Sequence, residues 1–311
     1  MKKFIDIKDN EDVEFYALVE SIQQRFTPNK SSYYSASLSD GDTIIDARIW
    51  DTALVENVGI INGSVYHFNA HTQTYAGKIQ YVIRGARRIV DGEVDSNIFF
   101  RSAPITEEKL REEIAKYINK IDNEILKAIV SQLISRVATE FYSYPAAMSM
   151  HHNYASGLVY HTYTMLKVAD VYLELYPGMC SDLLYAGVIV HDIGKTKELT
   201  GVQGTTYTEE GNLLGHIVIG LQMLASVASE LGIDDTEEVK ALSHLIASHH
   251  GELEFGSPKE PGMLEAFALH FLDIADSRLA SLSPEVVKTE KGKSTGPIGS
   301  INRRTIYKPK L

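Results

Sequence analysis

The sequence predicts a multi-domain α and β chain, a small β-barrel at the N-terminus followed by an all-α domain. Three observations predict it. Short strand-like runs separated by glycine turns crowd the first hundred residues. From Thr106 onward, apolar residues recur at three- and four-residue steps up to about residue 282. At 311 residues the chain exceeds what a single core accounts for.

The elements follow in order. Phe15–Ile22 reads as a first strand. Tyr33–Leu38 alternates, Asp40-Gly41 supplies a tight turn, and Thr43–Trp50 is the hairpin partner. Asn62-Gly63 turns the chain into Ser64–Phe68. Ala76-Gly77 precedes Lys78–Ile83, and Arg87–Val90 closes the set. About five short strands in so few residues suit a Greek-key barrel of the OB type. A linker follows near Pro104. Thr106 then reads as an N-cap, with Glu107 and Glu108 in the first turn, where the helix dipole favours acids. Ile114, Ile118, Ile121, Ile125, Ile129 and Leu133 continue the helical period, as do Ile217, Leu221, Leu224, Ala228 and Leu231. The expected division is residues 1–100 for the barrel, 101–150 for a helical linker region packed on the domain that follows, 151–283 for the helical domain and 284–311 for a basic tail. Residues 292–300, rich in Gly, Ser and Thr, are expected to be loose.

The net charge of −11 excludes a protein that simply coats nucleic acid. The charge is uneven: residues 284–311 hold seven Lys or Arg against two Glu. Such a tail could hold phosphates, although a solvated, mobile terminus is the commoner outcome. No uninterrupted apolar run is long enough to span a bilayer, and the acids at Asp6, Asp9, Glu11 and Asp12 break a signal-peptide pattern, so no membrane partner is expected. Cys180 is the only cysteine, which points to a reducing cytoplasm.

The chemistry lies in the helical half. His191 and Asp192 sit side by side at the end of the apolar run Ala186–Val190. Hydrolysis by a divalent metal wants imidazole and carboxylate ligands with open positions for water and substrate. His161, His191, Asp192 and Asp273 would complete one such site, and the two oxygens of an Asp can bridge to a second ion. His216, His249 and His250 supply that second position, with Gly251 as a natural C′ residue. Two such ions about 3.5–4 Å apart suit the attacking and leaving oxygens of a phosphodiester. A lone helical histidine is more often core or surface, but the joint pattern within one helical segment is not. His151, His152, His244 and His270 stay outside the set. Lys195, one turn past Asp192, is placed to neutralise a phosphate oxygen, so Asp192 and Lys195 are the expected catalytic residues. Asp276 and Arg278 are expected on or near the face of Asp273, where Arg278 could touch phosphate.

At this point a resemblance is visible. His161, His191-Asp192-Ile193-Gly194-Lys195 and Asp273 resemble the HD-domain metallophosphohydrolases. Tyr144–Ala147, Glu210–His216 and Ser248–Pro258 resemble, more specifically, the YhaM-type 3′-to-5′ exoribonucleases of Gram-positive bacteria, which join an OB-fold to an HD domain. Ser156 stands where a second glycine of that pattern is expected. The resemblance implies trimming of single-stranded RNA, and of DNA, with manganese foremost and cobalt, iron or magnesium as alternatives. It carries the metal-ligand role to His161, His191, Asp192, His216, His249, His250 and Asp273, and the lysine role to Lys195.

OB barrels hold single strands by stacking bases on aromatic side chains along a basic groove. This barrel offers Tyr33, Tyr34, Trp50, Tyr66, Phe68, Tyr75 and Tyr81, interleaved with Arg48, Lys78, Arg84, Arg87 and Arg88. About half of the aromatics must be core, because strand side chains alternate, and the sequence leaves open which half. Tyr33, Tyr75 and Lys78, near loops, are the expected contacts. The reading that results is a metal-dependent 3′-to-5′ exonuclease releasing nucleoside 5′-monophosphates. Its rivals are an HD phosphohydrolase of free nucleotides or cyclic dinucleotides, and a non-catalytic RNA-binding protein. A homo-oligomer is allowed by this reading.

Overall fold

A computed structural model of the chain describes residues 3–75, 78–90, 92–99, 103–147, 154–201 and 205–311, with the backbone alone at Lys78, Ser96 and Asn97. Residues 1–101 form one compact unit, and residues 102–201 with 206–311 form the other.

The first unit is built on five strands, β1 (Asp12–Phe26), β2 (Ser32–Ser39), β3 (Ile44–Ile49), β4 (Val65–Tyr75) and β5 (Lys78–Arg88). They close in the order β1-β2-β3-β5-β4, as expected for an OB-type barrel. All pairings are antiparallel except β3 with β5, where Ala47 faces Tyr81 in parallel register. Alternation decides the core: Val13, Phe15, Ala17 and Val19 of β1 point inward, and Tyr66, Phe68 and Ala70 of β4 meet them. Phe15 and Phe68 are fully buried, 6.0 Å apart between ring centroids. Arg87 and Arg88 belong to β5 itself rather than to a further strand. The sequence reading also passed over a helix, α1 (Thr52–Val58), which Asp51 caps by accepting from the Ala53 amide and which Gly59 ends at φ 67°.

The second unit is helical: α2 (Glu107–Asn119), α3 (Glu124–Arg136), α4 (Ala138–Ser143), α5 (Gly157–Leu175), α6 (Ser181–Val190), α7 (Lys195–Glu198), α8 (Glu209–Leu231), α9 (Glu237–Ser248) and α10 (Leu264–Lys288). Thr106 caps α2 through its hydroxyl, which accepts from the Lys109 amide. The isoleucine period that reads as one helix is broken between α2 and α3, where Asn123 caps the new start by accepting from Leu126. Ile114, Ile121, Ile129 and Leu133 still share one core, because the break preserves the face they present.

At the centre lies α6, buried along all of Leu183–Val190. A helix apolar all round must be wrapped by others, and α3, α5, α9 and α10 pack on it. This burial carries His191 and Asp192 to the middle of the unit. One helix, α8, is long and apolar enough to cross a membrane by length and composition. Its Ile219, Met223, Leu224 and Val227 are instead spent on the helical core.

The tail expectation needs correcting. Residues 284–288 belong to α10, and the stretch expected to be loose is paired. Thr295 donates its amide to Ile306 and Ile298 to Arg304, with Ile301 buried at the turn. Backbone pairing and one apolar anchor hold it, which the Gly- and Ser-rich composition hid.

Candidate functional site

Every expected metal ligand converges on one place. His161 comes from α5, His191 and Asp192 from the end of α6, His216 from α8, His249 and His250 from the end of α9, and Asp273 from α10. They form two groups, His161 with His191 and Asp273, and His216 with His249 and His250. Within each, one ligand atom per residue lies within 4.8 Å of the others. Asp192 joins them. Its Oδ2 lies 3.3 Å from His191 Nε2 and 3.8 Å from His161 Nε2, and its Oδ1 lies 3.5 Å from His216 Nε2 and 3.7 Å from His249 Nε2.

Why the rings face inward can be read at their other nitrogen. Each Nδ1 is held by an acceptor: Asp276 Oδ2 for His161 at 2.7 Å, the Val188 carbonyl for His191 at 2.9 Å, Glu198 Oε1 for His216 at 3.2 Å, the Ile246 carbonyl for His249 at 2.7 Å and the Phe255 carbonyl for His250 at 2.8 Å. A proton on Nδ1 leaves the Nε2 lone pair for a metal, and a carboxylate behind the ring makes that lone pair more basic. Among the described residues, the buried Nε2 atoms of His191, His216 and His249, with Asp192 Oδ1, have no hydrogen-bond partner. Leaving each unsatisfied costs about 1–3 kcal/mol. A cation at each group would meet that need, so the donor set fits divalent metal.

The electrostatics agree. Burial opposes the ionised form of Asp192, but Lys195 and His191 outweigh it and hold the carboxyl well below its usual range. Burial likewise works against the Lys195 ammonium, and Asp192 more than compensates, raising it. The Lys195 ammonium lies 2.7 Å from Asp192 Oδ2. Burial pushes His161 down, yet its bonds to Asp273 and Asp276 prevail and bring it to about 9. His249 is driven well below the usual imidazole range, first by burial and then by the neighbouring imidazoles of His191 and His250.

The other expected positions fare unevenly. Arg278 is exposed and lies five residues beyond Asp273, about 140° around the helix, so the expectation of a shared face is corrected. His151 and His152 lie outside the described residues. His270, set aside in the sequence reading, donates from Nδ1 to the His249 carbonyl at 3.0 Å. Its ring covers Gly251, which lies two residues past the C-cap of α9 at φ 82° and where any Cβ would come within 2.3 Å of the imidazole. Glu198 and Asp276, which hold the Nδ1 atoms of His216 and His161, were not assigned to the site from the sequence. A signal existed: Glu198 is three residues from Lys195, and Asp276 three from Asp273, a spacing that shares a helix face.

On the barrel, Tyr66, Phe68 and Tyr81 are core. Trp50 is half exposed and Tyr33 stacks on it with centroids 4.8 Å apart, while the Arg48 guanidinium lies 5.6 Å from the centre of the Tyr33 ring. Tyr75 stands exposed at the end of β4. Lys78 begins β5, and its side chain lies outside what the structure describes.

Comparison with known proteins gives the following. The HD domain family model matches residues 158–280. The chain is 38% identical over 310 residues to the 3′-5′ exoribonuclease YhaM of Listeria welshimeri, spanning 99% of this chain and 98% of that protein. Against the 3′-5′ exoribonuclease YhaM of Bacillus subtilis the identity is 37% over 300 residues, spanning 96% and 95%. Among solved structures, the mitochondrial single-stranded DNA binding protein Rim1 of S. cerevisiae overlaps 27% of this chain at 11% identity, with a TM-score of 0.24, too weak a likeness to argue from.

Proposed function

The chain belongs to the YhaM family of 3′-5′ exoribonucleases, and from that membership we propose that it trims single-stranded RNA, and DNA, from the 3′ end in a metal-dependent reaction. The products are nucleoside 5′-monophosphates, and the reaction runs in the cytoplasm. The single cysteine supports that location. The observation that carries the reading is the convergence of seven side chains, Asp192 among them, with one Asp192 oxygen facing each histidine group.

His161, His191, Asp273 and Asp192 Oδ2 would hold one cation, and His216, His249, His250 and Asp192 Oδ1 the other. Bound divalent cations, Mn²⁺ foremost, supply Lewis-acid polarisation of the phosphoryl oxygens and acidify water. The chain's own residues do the rest. The carbonyls and carboxylates behind the imidazoles keep every Nδ1 protonated and every Nε2 aimed inward. Lys195, held against Asp192, offers its ammonium to a phosphate oxygen as negative charge develops. Trp50, Tyr33 and Arg48 stack and neutralise the strand at the barrel.

The test is a labelled single strand incubated with Mn²⁺, beside a 3′-end-blocked control. The wild type is expected to shorten only the free-ended strand, and Asp192→Ala to leave it intact while still binding it. Full activity in Asp192→Ala would defeat the reading. Turnover of mononucleotides alone would identify a free-nucleotide phosphohydrolase instead.

A further inference from the structure

The two halves of the centre are unequal. One half combines the imidazoles of His161 and His191 with carboxylate oxygens of Asp273 and Asp192. The other combines three imidazoles, those of His216, His249 and His250, with a single carboxylate oxygen, Oδ1 of Asp192. A dication on the nitrogen-rich half therefore meets less negative charge from its direct donors.

A carboxylate stands behind that half. Glu198 Oε1 accepts twice from His216, from the backbone amide at 3.0 Å and from the ring Nδ1 at 3.2 Å. The first of these bonds is not available in a regular helix, where the His216 amide would be turned back to the carbonyl of Asn212. Gly215 removes that constraint: at φ 72° and ψ 158° it breaks α8 just before His216 and frees the amide. Glu198 is fixed in its turn. Its amide donates to the Gly194 carbonyl at 2.9 Å, and its carbonyl accepts from Thr208 at 2.9 Å. Gly211 lies so close that a Cβ there would sit 2.3 Å from the Glu198 carbonyl oxygen. A kink, a clamped backbone and a close helix crossing thus serve one two-point contact on one ligand.

We propose that Glu198 is the positioning residue of the nitrogen-rich half. It fixes the His216 ring with Nε2 toward the centre and supplies, through the imidazole, negative charge that the direct donors lack. It therefore governs binding of one cation and leaves the other to the half backed by Asp276. The proposal rests on the two-cation reading given above.

The experiment is a titration of the metal-free full chain with Co²⁺, followed by its visible absorption and by competition with a chelator. The wild type is expected to take up two Co²⁺. In Glu198→Ala one of the two affinities should fall roughly 10- to 100-fold, the range for loss of a partner behind a metal-ligating histidine, and the other should hold. Glu198→Gln, whose amide oxygen can accept both bonds but carries no charge, should fall between and reads the same quantity if Glu198→Ala does not fold. Asp276→Asn should weaken the complementary affinity. Wild-type affinity for both ions in Glu198→Ala and Glu198→Gln would overturn the proposal, as would equal loss of both ions. Fewer than two Co²⁺ on the wild type would overturn the two-cation reading and the proposal with it.

Discussion

Asp192 faces two groups of histidines with two oxygens, and proton competition at the centre follows from its neighbours. In the metal-free protein His161 is held in its acid form up to about pH 9, against 6.5 for an ordinary imidazole, because Asp273 and Asp276 favour the cation more than burial disfavours it. That stabilising contribution is fully present below about pH 6.5 and is lost as pH rises through 9. A metal ligand must shed this proton first. Apparent Mn²⁺ affinity is therefore expected to climb from pH 6.5 to about 9 and then level off, with proton release on binding in that window. Calorimetry in buffers of different ionisation enthalpy measures it, and a flat affinity across the window would contradict the assignment. His249, pushed the opposite way, does not compete there. At the barrel, Trp50→Ala is expected to weaken single-strand binding by about 1–3 kcal/mol, the worth of one stacked base, while hydrolysis of a small phosphodiester stays at the wild-type rate. Fluorescence anisotropy with a labelled oligonucleotide reads the first quantity. Most ligands were legible at this scale, because imidazoles and acids at helix ends declare their chemistry by type. Glu198 was legible only as a carboxylate three residues from Lys195, because its role depends on which ring it backs.

Among the elements, the N-terminus of α5 carries a local strain. Ser156, just before the helix, adopts φ 62°, a region in which a side chain clashes with its own backbone, and its hydroxyl makes no capping bond. The missing glycine noted in the sequence thus has a conformational meaning. Ser156→Gly is expected to stabilise the protein by up to about 1 kcal/mol, the relief of the left-handed conformation outweighing the added chain entropy. Chemical denaturation tests it, and a destabilised variant would show that the serine side chain contributes more than its backbone costs. Periodicity located the long helices and the strands well. It misjudged the boundary between α2 and α3, since four residues of turn can interrupt a helix without disturbing its apolar face. It also passed over α1, whose seven residues are too few to display a period.

For the whole molecule, each unit has a large apolar core of its own, and two unfolding events are expected. The barrel core is centred on Phe15, Phe68 and Tyr81, and the helical core on α6. Mn²⁺ is expected to raise only the transition of the helical unit, by about 2.7 kcal/mol for each ion bound at a hundredfold excess over Kd. Calorimetry with and without chelator checks this, and a shift of both transitions together would mean that the units melt as one.

Residue type and spacing by themselves determined the two-domain division, the barrel and helical classes and the set of side chains that converge, because strand alternation, helix periodicity and metal-donor chemistry are local properties. Tertiary structure alone decided which barrel aromatics are core and which acceptor backs each imidazole. Those outcomes hang on contacts between distant segments, such as His161 with Asp276 across 115 positions, and a local pattern holds no record of which partner will be met.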